Sequence, residues 1–389
     1  MTLDEQFMER AIELARSSVG LASPNPVVGA IIERGGEIIG EGSHSYAERK
    51  HAEILALEAA SATSGERVPG ATMYLNLEPC CHQGRTGPCT EAIISAGIKR
   101  VVAAMYDPNP LVRGKGFDRL REAGIEVATG VGEREARKLN EAFANWIRTR
   151  RPLVTLKSAL TLDGKIGKKQ SLARKELDDW RWITGEPARA NVQELRHVTD
   201  ALLVGVGTVI ADDPLLTDRS GKPRRRRLLR VVLDSALRLP LESRLVRSVQ
   251  DDLVVFCSSN NRDSRHELET RGIRVEQISV GGEGVNFHEV ITQLGEMENL
   301  SVLIEGGSRI NGAALAANVV DKLFLYFAPR LLGERGSVPF SSGMGNSYPP
   351  SGLRLLKTAM YHFGEDFALE GYLKDPYAAP AEAEPTPSV

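Results

Sequence analysis

The stretch LEPCCHQGRTGPC, residues 77–89, places Cys80 and Cys89 at the two ends of a short polar insert. It follows the apolar run ATMYLNL, which is typical of a buried strand, and it leads into a helix expected to begin near Cys89. Upstream, the tripeptide HAE places His51 and Glu53 at the start of another expected helix. Two thiolates and an imidazole are three zinc ligands, and a catalytic zinc keeps its fourth position open. The sequence therefore predicts a zinc site formed at the starts of two helices.

The order His-x-Glu, then Pro-Cys, then a later Cys is the signature of zinc-dependent base deaminases. In such sites the glutamate does not bind the metal, but moves protons to the ring nitrogen and the departing amine. Helix N-termini carry partial positive charge, which lowers thiol pKa values and favours thiolate ligands. We therefore predict His51, Cys80 and Cys89 as zinc ligands and Glu53 as the catalytic residue.

Around this site, strand and helix patterns alternate over about 130 residues, which predicts a layered α/β domain. Gly35-Gly36 between two apolar runs predicts a β-hairpin within it. The alternation restarts after Arg150, with strand candidates that include DALLVGVGTV, LLRVVLDS, LSVLIEGG and DKLFLYFAPRLLG. A chain of 389 residues is long enough for two domains. We predict domains over residues 1–149 and 150–375, and a disordered tail rich in Pro and Ala over 376–389.

Net charge, the length of apolar runs and the positions of the cysteines indicate which partners and which compartment to expect. The formal net charge of -2 does not favour nucleic acid or anionic membranes as partners, and no apolar run approaches the roughly 18 residues of a membrane span. KPRRRR, residues 222–227, is one short basic patch and is expected to be a solvated loop. Three of the four cysteines lie within ten residues of one another, which suits a local metal site in a reducing, cytoplasmic setting better than a disulfide framework.

Longer motifs along the chain resemble those of one particular enzyme family. SPNPVVG, GEGSH, HAE, LEPCCHQGRTGPC and DPNPLVRGKG, in this order, resemble the deaminase half of the bifunctional RibD family of riboflavin biosynthesis. KSALTLDGKIG, WITGEPAR, ELRHVTDALLVGVGTVIADDPLLTDR, VVLDS and LIEGGSRINGAAL resemble its reductase half. The resemblance implies a cytidine-deaminase-like three-layer α/β/α domain followed by a dihydrofolate-reductase-like α/β domain. It implies a zinc hydrolase and an NADPH oxidoreductase acting on a phosphorylated pyrimidine, in a homo-oligomer (dimer or tetramer).

The resemblance also implies individual residues. In the deaminase half, the substrate-binding residues would be Asn25, His44, His82 and Arg85. In the reductase half, the cofactor would be lined by Ala159, Trp182, Thr208, Asp212, Ser235, Gly306 and Gly307. The substrate of that half would be faced by Lys157, Arg196, Leu216, Arg219 and Glu305. Gly306 and Gly307 suit a diphosphate grip, because their backbone amides can approach the ligand just before a helix begins.

Two features depart from familiar patterns. Gly205 and Gly207 follow a strand, but Ile210 stands where the third glycine of a dinucleotide-binding loop belongs. KIGKKQSLARKELDDW, residues 165–180, is longer than the corresponding loop of the family and carries Trp180 where a serine is expected. A degenerate reductase beside an active deaminase is therefore one alternative.

Plainer interpretations also stay open. The zinc site could be closed and structural, with Cys81 or His82 as a fourth ligand, and the chain could be a deaminase that binds nucleic acid. Asn25 and His44 could be ordinary turn and loop residues. Arg196 could lie on a solvated helix face. Asp212 could only cap a helix, and Gly306-Gly307 could be a plain strand-to-helix turn with no role in cofactor binding.

Overall fold

The structure is a computed structural model that describes residues 1–82, 87–168, 182–281, 284–333, 336–343 and 352–378. The chain divides into two compact units. Unit 1 contains Met1–Arg150, Pro223–Arg226 and the described residues from Tyr377 onward, and unit 2 contains Arg151–Lys222 and Arg227–Pro376. Within the described residues, no helix is both long and apolar enough to cross a membrane.

Unit 1 contains a five-stranded sheet in the order β2-β1-β3-β4-β5. Its strands are β1 (Gly29–Arg34), β2 (Glu37–Ser43), β3 (Thr72–Leu75), β4 (Arg100–Ala103) and β5 (Glu126–Thr129). β1 is antiparallel to both β2 and β3, and β3, β4 and β5 are parallel. The predicted hairpin is confirmed, because Gly35 and Gly36 join β1 to β2 with φ of 65° and 87°.

The helices of unit 1 are α1 (Leu3–Ser17), α2 (Ala52–Ser64), α3 (Cys89–Ser95), α4 (Lys115–Glu122), α5 (Glu133–Leu139) and α6 (Glu141–Thr149), with a 3-10 turn at Gly65–Arg67. A capping box formed by Thr2 and Glu5 begins α1. α2 packs directly on β2, since a Cβ on Gly42 would lie 2.3 Å from the carbonyl oxygen of Ala52. This close packing brings the start of α2, and with it the HAE tripeptide, against the sheet.

Two short segments that follow Arg150 in the sequence also belong to unit 1. Arg225 donates from its backbone N–H to the Gly20 carbonyl at 2.8 Å and lies over the Tyr46 ring at 3.6 Å. Within the basic loop Arg225 and Arg227 are exposed, whereas Arg224 and Arg226 are partly buried, so the loop is only partly solvated. At the start of the tail predicted to be disordered, the hydroxyl of Tyr377 donates to the Arg137 carbonyl at 2.8 Å and its ring stacks on that guanidinium. Residues 379–389 of the predicted tail lie outside the described residues.

Unit 2 contains a nine-stranded sheet in the order β11-β10-β9-β8-β14-β6-β15-β18-β17. All neighbours from β11 to β15 are parallel, and β18 is antiparallel to β15 and β17. The strands of the large sheet are β6 (Leu153–Thr161), β8 (Ala201–Gly205), β9 (Leu229–Leu233), β10 (Leu253–Cys257), β11 (Arg274–Gln277), β14 (Ser301–Ile304), β15 (Lys322–Ala328), β17 (Leu356–Phe363) and β18 (Asp366–Tyr372). Two small sheets pair β7 (Lys165–Lys168) with β16 (Ser337–Pro339), and β12 (Val280–Gly281) with β13 (Gly284–Val285).

The helices of unit 2 are α7 (Glu186–His197), α8 (Val206–Asp212), α9 (Arg244–Arg247), α10 (Arg262–Glu269), α11 (Phe287–Glu296) and α12 (Ser308–Ala316). The strand predicted through Val209 ends at Gly205, where α8 begins. A Cβ on Gly205 would lie 2.6 Å from the Ile310 side chain, so this strand-to-helix junction requires glycine. The predicted α/β class is confirmed for both units.

Candidate functional site

The predicted zinc ligands converge in unit 1. His51 immediately precedes α2, Cys80 follows β3 by five residues, and Cys89 is the first residue of α3. The Nδ1 atom of His51 lies 3.2 Å from the Sγ of Cys89 and 3.5 Å from that of Cys80, and all three ligand atoms lie within 4.8 Å of one another. Two sulfur donors and one imidazole are a donor set that fits a zinc ion with one open position. Among the described residues neither Cys81 nor His82 belongs to this group, and His82 is exposed.

The electrostatics of the cluster favour a thiolate at Cys80. Hydrogen bonding from the Cys89 thiol, and then from His51, lowers the pKa of Cys80 to about 4 despite its burial. The same hydrogen bond with Cys80 raises the pKa of Cys89. Thiolate is the form of cysteine that binds metal, so one of the two sulfurs is already in the binding form near neutral pH.

Glu53 lies in the first turn of α2 and only 4% of it is exposed. Burial, and next the neighbouring charge of Cys80, raise the pKa of its carboxyl. A hydrogen bond links this carboxyl to the thiol of Cys89. The predicted catalytic carboxyl therefore lies directly beside the ligand cluster without being one of its three members.

Asn25 and His44 form a hydrogen-bonded pair next to the cluster. The Nδ2 of Asn25 lies 2.9 Å from the Nε2 of His44, and the Nδ1 of His44 lies 2.8 Å from the carbonyl oxygen of Lys50. A carbonyl can only accept, so Nδ1 of the neutral ring carries the proton and Nε2 accepts from Asn25. The His44 ring also lies edge-on to His51, with centroids 5.5 Å apart. Arg85, the last predicted substrate residue of this half, lies outside the described residues.

Glu78 is a buried site residue that sequence reasoning missed. Its carboxylate accepts hydrogen bonds at 2.9–3.0 Å from the backbone N–H groups of Asp107, Gly114 and Gly116. A Cβ on Gly116 would lie 2.2 Å from the carbonyl oxygen of Pro79, so glycine is required for this approach. Glu78 thus holds the DPNPLVRGKG segment against the loop that carries Cys80. A charged residue directly after an apolar strand was the available signal.

In unit 2, the predicted substrate residues Glu305, Lys157 and Arg196 form one buried cluster. Glu305 follows β14, and Lys157 lies on the neighbouring strand β6, where Leu156 pairs with Ile304. The guanidinium of Arg196, from α7, binds both carboxylate oxygens of Glu305 at 2.7 and 3.1 Å, and the Lys157 ammonium lies at 3.7 Å. Burial raises the pKa of Glu305, but Arg196 and then Lys157 outweigh it and bring the pKa down to about 2. Arg196 is 9% exposed, so the solvated-face alternative is wrong.

The other two residues predicted to face the substrate lie on the segment after α8. Leu216 is buried and has a positive φ of 56°. Arg219 is exposed, and its backbone N–H donates to the Oε1 of Gln193 on α7 at 3.0 Å. The same helix also binds this segment through Arg196, which donates to the Thr217 carbonyl at 3.0 Å. Helix α7 therefore connects the Leu216–Arg219 segment to Glu305.

The predicted cofactor residues mostly lie where neighbouring parallel strands end, which is the edge at which ligands bind in such sheets. Ser235 follows β9, Thr208 lies in the first turn of α8 after β8, and Gly306-Gly307 follow β14. A Cβ on Gly307 would lie 4.0 Å from the Oγ1 of Thr208, so these two positions are neighbours. Ala159 lies on β6, two residues after Lys157. Trp182 is 56% exposed beneath Arg189, and Asp212 is exposed at the end of α8.

The Gly306-Gly307 turn fits the diphosphate of a dinucleotide. Gly307 is the N-cap of α12 and provides no side-chain cap, which leaves backbone amides of the first helical turn for a ligand. The Oγ of Ser308 is buried, and no hydrogen-bond partner for it is found among the described residues. Donors of this kind at a helix N-terminus suit an anion. Trp180 and residues 169–181 of the unusual loop lie outside the described residues.

Comparisons with known proteins agree with both halves. Residues 1–105 match the family model described as the cytidine and deoxycytidylate deaminase zinc-binding region, and residues 152–369 match the RibD C-terminal domain. The riboflavin biosynthesis protein RibD of Aquifex aeolicus is 39% identical over 94% of this chain and 98% of its own length. Acinetobacter baumannii RibD has a similar structure, with a TM-score of 0.80 and 35% identity over 95% of this chain and 98% of that one.

A third relative is the diaminohydroxyphosphoribosylaminopyrimidine deaminase/5-amino-6-(5-phosphoribosylamino)uracil reductase of Thermotoga maritima. Its structure matches with a TM-score of 0.78 and 36% identity, over 95% of this chain and 98% of that one. The matches run through both the zinc-binding deaminase half and the dihydrofolate-reductase-like half. The chain therefore belongs to the RibD family and is a bifunctional deaminase and reductase of riboflavin biosynthesis that uses zinc and NADPH.

Proposed function

We propose that unit 1 hydrolytically deaminates 2,5-diamino-6-(5-phosphoribosylamino)pyrimidin-4-one and that unit 2 then reduces the ribosyl chain of the product to a ribityl chain. The observation that carries the proposal is the convergence of His51, Cys80 and Cys89 within 4.8 Å, with the buried carboxyl of Glu53 beside them. The name of the Thermotoga maritima relative supports this choice of substrate. We propose residues 1–149 and 150–375 as the corresponding domains.

In the deaminase, the residues of the chain bind the pyrimidine and move protons. His51, Cys80 and Cys89 would hold the zinc ion, which would supply Lewis-acid activation of a water nucleophile when bound. The Glu53 carboxylate accepts a proton from that water and delivers protons to the ring nitrogen and the departing ammonia. His44 accepts from the Asn25 amide N–H, which turns the amide oxygen of Asn25 away from His44 and makes it available to an N–H donor of the base. His82 and Arg85 would reach toward the base and the phosphate of the substrate.

In the reductase, the chain orients the opened sugar and holds its phosphate. NADPH supplies the hydride that C1 of the ribosylamine, in its open imine form, requires. The Lys157–Glu305–Arg196 cluster lies beside the Gly306-Gly307 turn and offers charged groups to polar parts of the sugar. Arg219 is exposed and suits the phosphate, because a guanidinium binds phosphate oxygens in a bidentate manner. The remaining cofactor contacts would come from Ala159, Trp182, Thr208, Asp212 and Ser235.

We also propose that the protein is a cytoplasmic homo-oligomer, a dimer or tetramer, with no nucleic-acid partner. The four unpaired cysteines and the net charge of -2 support a reducing compartment and the absence of a polyanion partner. Light scattering of the purified chain tests the assembly, and a monomer at micromolar concentration would refute it.

A two-stage assay on the full chain tests the proposed chemistry. The diaminopyrimidine phosphate is supplied, ammonia release is followed, and NADPH is then added and its oxidation is followed. We expect Glu53→Gln to abolish ammonia release while zinc content stays at the wild-type level. The matched control is Glu58→Gln, an exposed glutamate on the same helix, which should release ammonia normally. Ammonia release by Glu53→Gln at the wild-type rate would refute the role of Glu53, and absence of NADPH oxidation in wild type would leave only the deaminase.

A further inference from the structure

Three side chains of α7 form hydrogen bonds with the Leu216–Arg219 segment, two with its backbone and one with a side chain. Gln193 accepts from the Arg219 N–H at 3.0 Å, and Arg196 donates to the Thr217 carbonyl at 3.0 Å. The third contact joins the Nδ1 of His197 to the Oδ2 of Asp218 at 3.1 Å. Every residue from Thr217 to Arg219 is therefore bonded to one helix.

The segment needs such restraint because its conformation is unfavourable. The φ of 56° places Leu216 in the left-handed region, which a side chain with a Cβ adopts only when its surroundings impose it. Arg230 adds a further restraint on the preceding residue, since its Nη1 donates to the Leu215 carbonyl at 3.2 Å. Strain of this kind is retained where an exact backbone position is needed.

The contact between His197 and Asp218 differs from the other two because both side chains are almost completely buried. The side chains are 5% and 7% exposed. A carboxylate only accepts hydrogen bonds, so the Nδ1 of His197 must be the donor. The second oxygen of Asp218 accepts from the Ser220 N–H at 2.9 Å, so the carboxylate bridges the helix and the chain beyond Arg219. Loss of the histidine donor would leave a buried carboxylate oxygen without this bond, which is costly in a protein interior.

We propose that His197 is a positioning residue of the reductase, which acts through Asp218 to hold Arg219 and Leu216 in the geometry that binds the phosphorylated substrate. The inference rests on the proposed function, in which Arg219 and Leu216 face that substrate. His197 itself is placed in no contact with substrate or cofactor. Its effect should therefore fall on substrate binding and leave NADPH binding and the deaminase unchanged.

The test compares two variants of the full chain. His197→Phe keeps a ring of similar volume but has no donor, whereas His197→Asn places an amide N–H near the position of Nδ1. We expect His197→Phe to raise the KM for the deaminated phosphorylated substrate about tenfold, as for loss of one hydrogen bond to a buried charged group. The KM for NADPH and the rate of ammonia release should stay within about twofold of wild type, and His197→Asn should restore most of the substrate affinity. Ammonia release also serves as the internal measure of intact enzyme.

Two further variants separate the inference from the proposed function. Arg219→Ala tests the proposed substrate contact alone, and an unchanged KM in that variant would remove both proposals. If Arg219→Ala raises the KM and His197→Phe does not, the inference fails and the proposed function stands. The double variant His197→Phe/Arg219→Ala should raise the KM by less than the product of the two single effects, because part of the effect of His197 acts through Arg219. Additive effects, or an equal rise in the KM for NADPH, would indicate general damage to unit 2 and overturn the inference.

Discussion

Glu305→Gln keeps the shape of the side chain and removes its charge, which leaves the buried Arg196 and Lys157 side by side without their shared carboxylate. The pKa of Glu305 is lowered from 4.5 to about 2, which at about 1.4 kcal/mol per pKa unit corresponds to roughly 3 kcal/mol of stability. Removal of one partner from a buried ion pair costs about 3–5 kcal/mol in general. We therefore expect unit 2 of the variant to be about 3 kcal/mol less stable than wild type at pH 7.

The stabilisation of unit 2 by the Glu305 carboxylate depends on pH. A lowered folded pKa means that the stabilisation is fully present above the unfolded value of about 4.5 and is lost as the pH falls toward 2. The stability difference between wild type and Glu305→Gln should thus be full at pH 7 and shrink between about pH 4.5 and 2. Since glutamine does not titrate, the variant itself lacks this component of acid sensitivity.

Hydrogen exchange measures the two units separately. Amides of β14 report on unit 2 and amides of β3 on unit 1, which is the internal reference. Glu370→Gln is the matched control, because Glu370 forms another buried pair in the same sheet, with Lys322 at 2.6 Å. It should also destabilise unit 2 but leave the KM for the reductase substrate unchanged. A Glu305→Gln protein as stable as wild type at pH 7, or a difference that stays constant down to pH 2, would refute the reasoning.

Three other predictions concern unit 1. Gly116→Ala should lower zinc content and the thermal midpoint of unit 1, since its Cβ would lie 2.2 Å from the Pro79 carbonyl. Gly87→Ala is the control, because a Cβ there would meet no atom of the described residues within 4 Å. Equal zinc content in the two variants would contradict the packing argument. Cys80→Ser should abolish ammonia release while NADPH oxidation of supplied deaminated substrate continues, because the ligands lie in unit 1; loss of both rates together would count against independent sites. Arg225→Ala should cost unit 1 about 1 kcal/mol, because it removes the stacking on Tyr46 and the hydrogen bond from the guanidinium to the Ser23 carbonyl at 2.7 Å. An unchanged midpoint in a thermal melt would show that these contacts do not stabilise unit 1.

The sequence predicted those features of the site and the fold that follow from residue types and their spacing. The convergence of His51, Cys80 and Cys89, the hairpin at Gly35-Gly36 and the α/β class followed from spacing, turn chemistry and alternation, and the structure has all three. The family assignment followed from ordered motifs. These features depend on local patterns or on a set of residues that few chemistries share.

The features that were missed depend on partners that a sequence does not display. Glu78 accepts from three backbone N–H groups, which every residue but proline possesses, so its position after an apolar strand indicates a buried charge but not its partners. Asp218 is paired with a histidine 21 residues away through tertiary packing. β17 was overlooked because most of its side chains are exposed on both faces, so the strand lacks the alternation that normally reveals one. Helix α8 begins at Val206 although the sequence there continues with β-branched residues, and the close approach of Ile310 to Gly205 at this junction is a tertiary contact that the local pattern does not show.

The composition of unit 1 has a consequence for genetic separation of the two activities. The chain leaves this unit at Arg150, re-enters it over Pro223–Arg226, and contacts it again at Tyr377. A gene truncated after codon 149 would encode the zinc ligands and Glu53 but would omit the arginine that stacks on Tyr46 and the tyrosine that stacks on Arg137. The segment 1–149 alone therefore lacks two short pieces of unit 1, Pro223–Arg226 and the chain from Tyr377 onward, and a deaminase made from it should be less stable than unit 1 of the full chain.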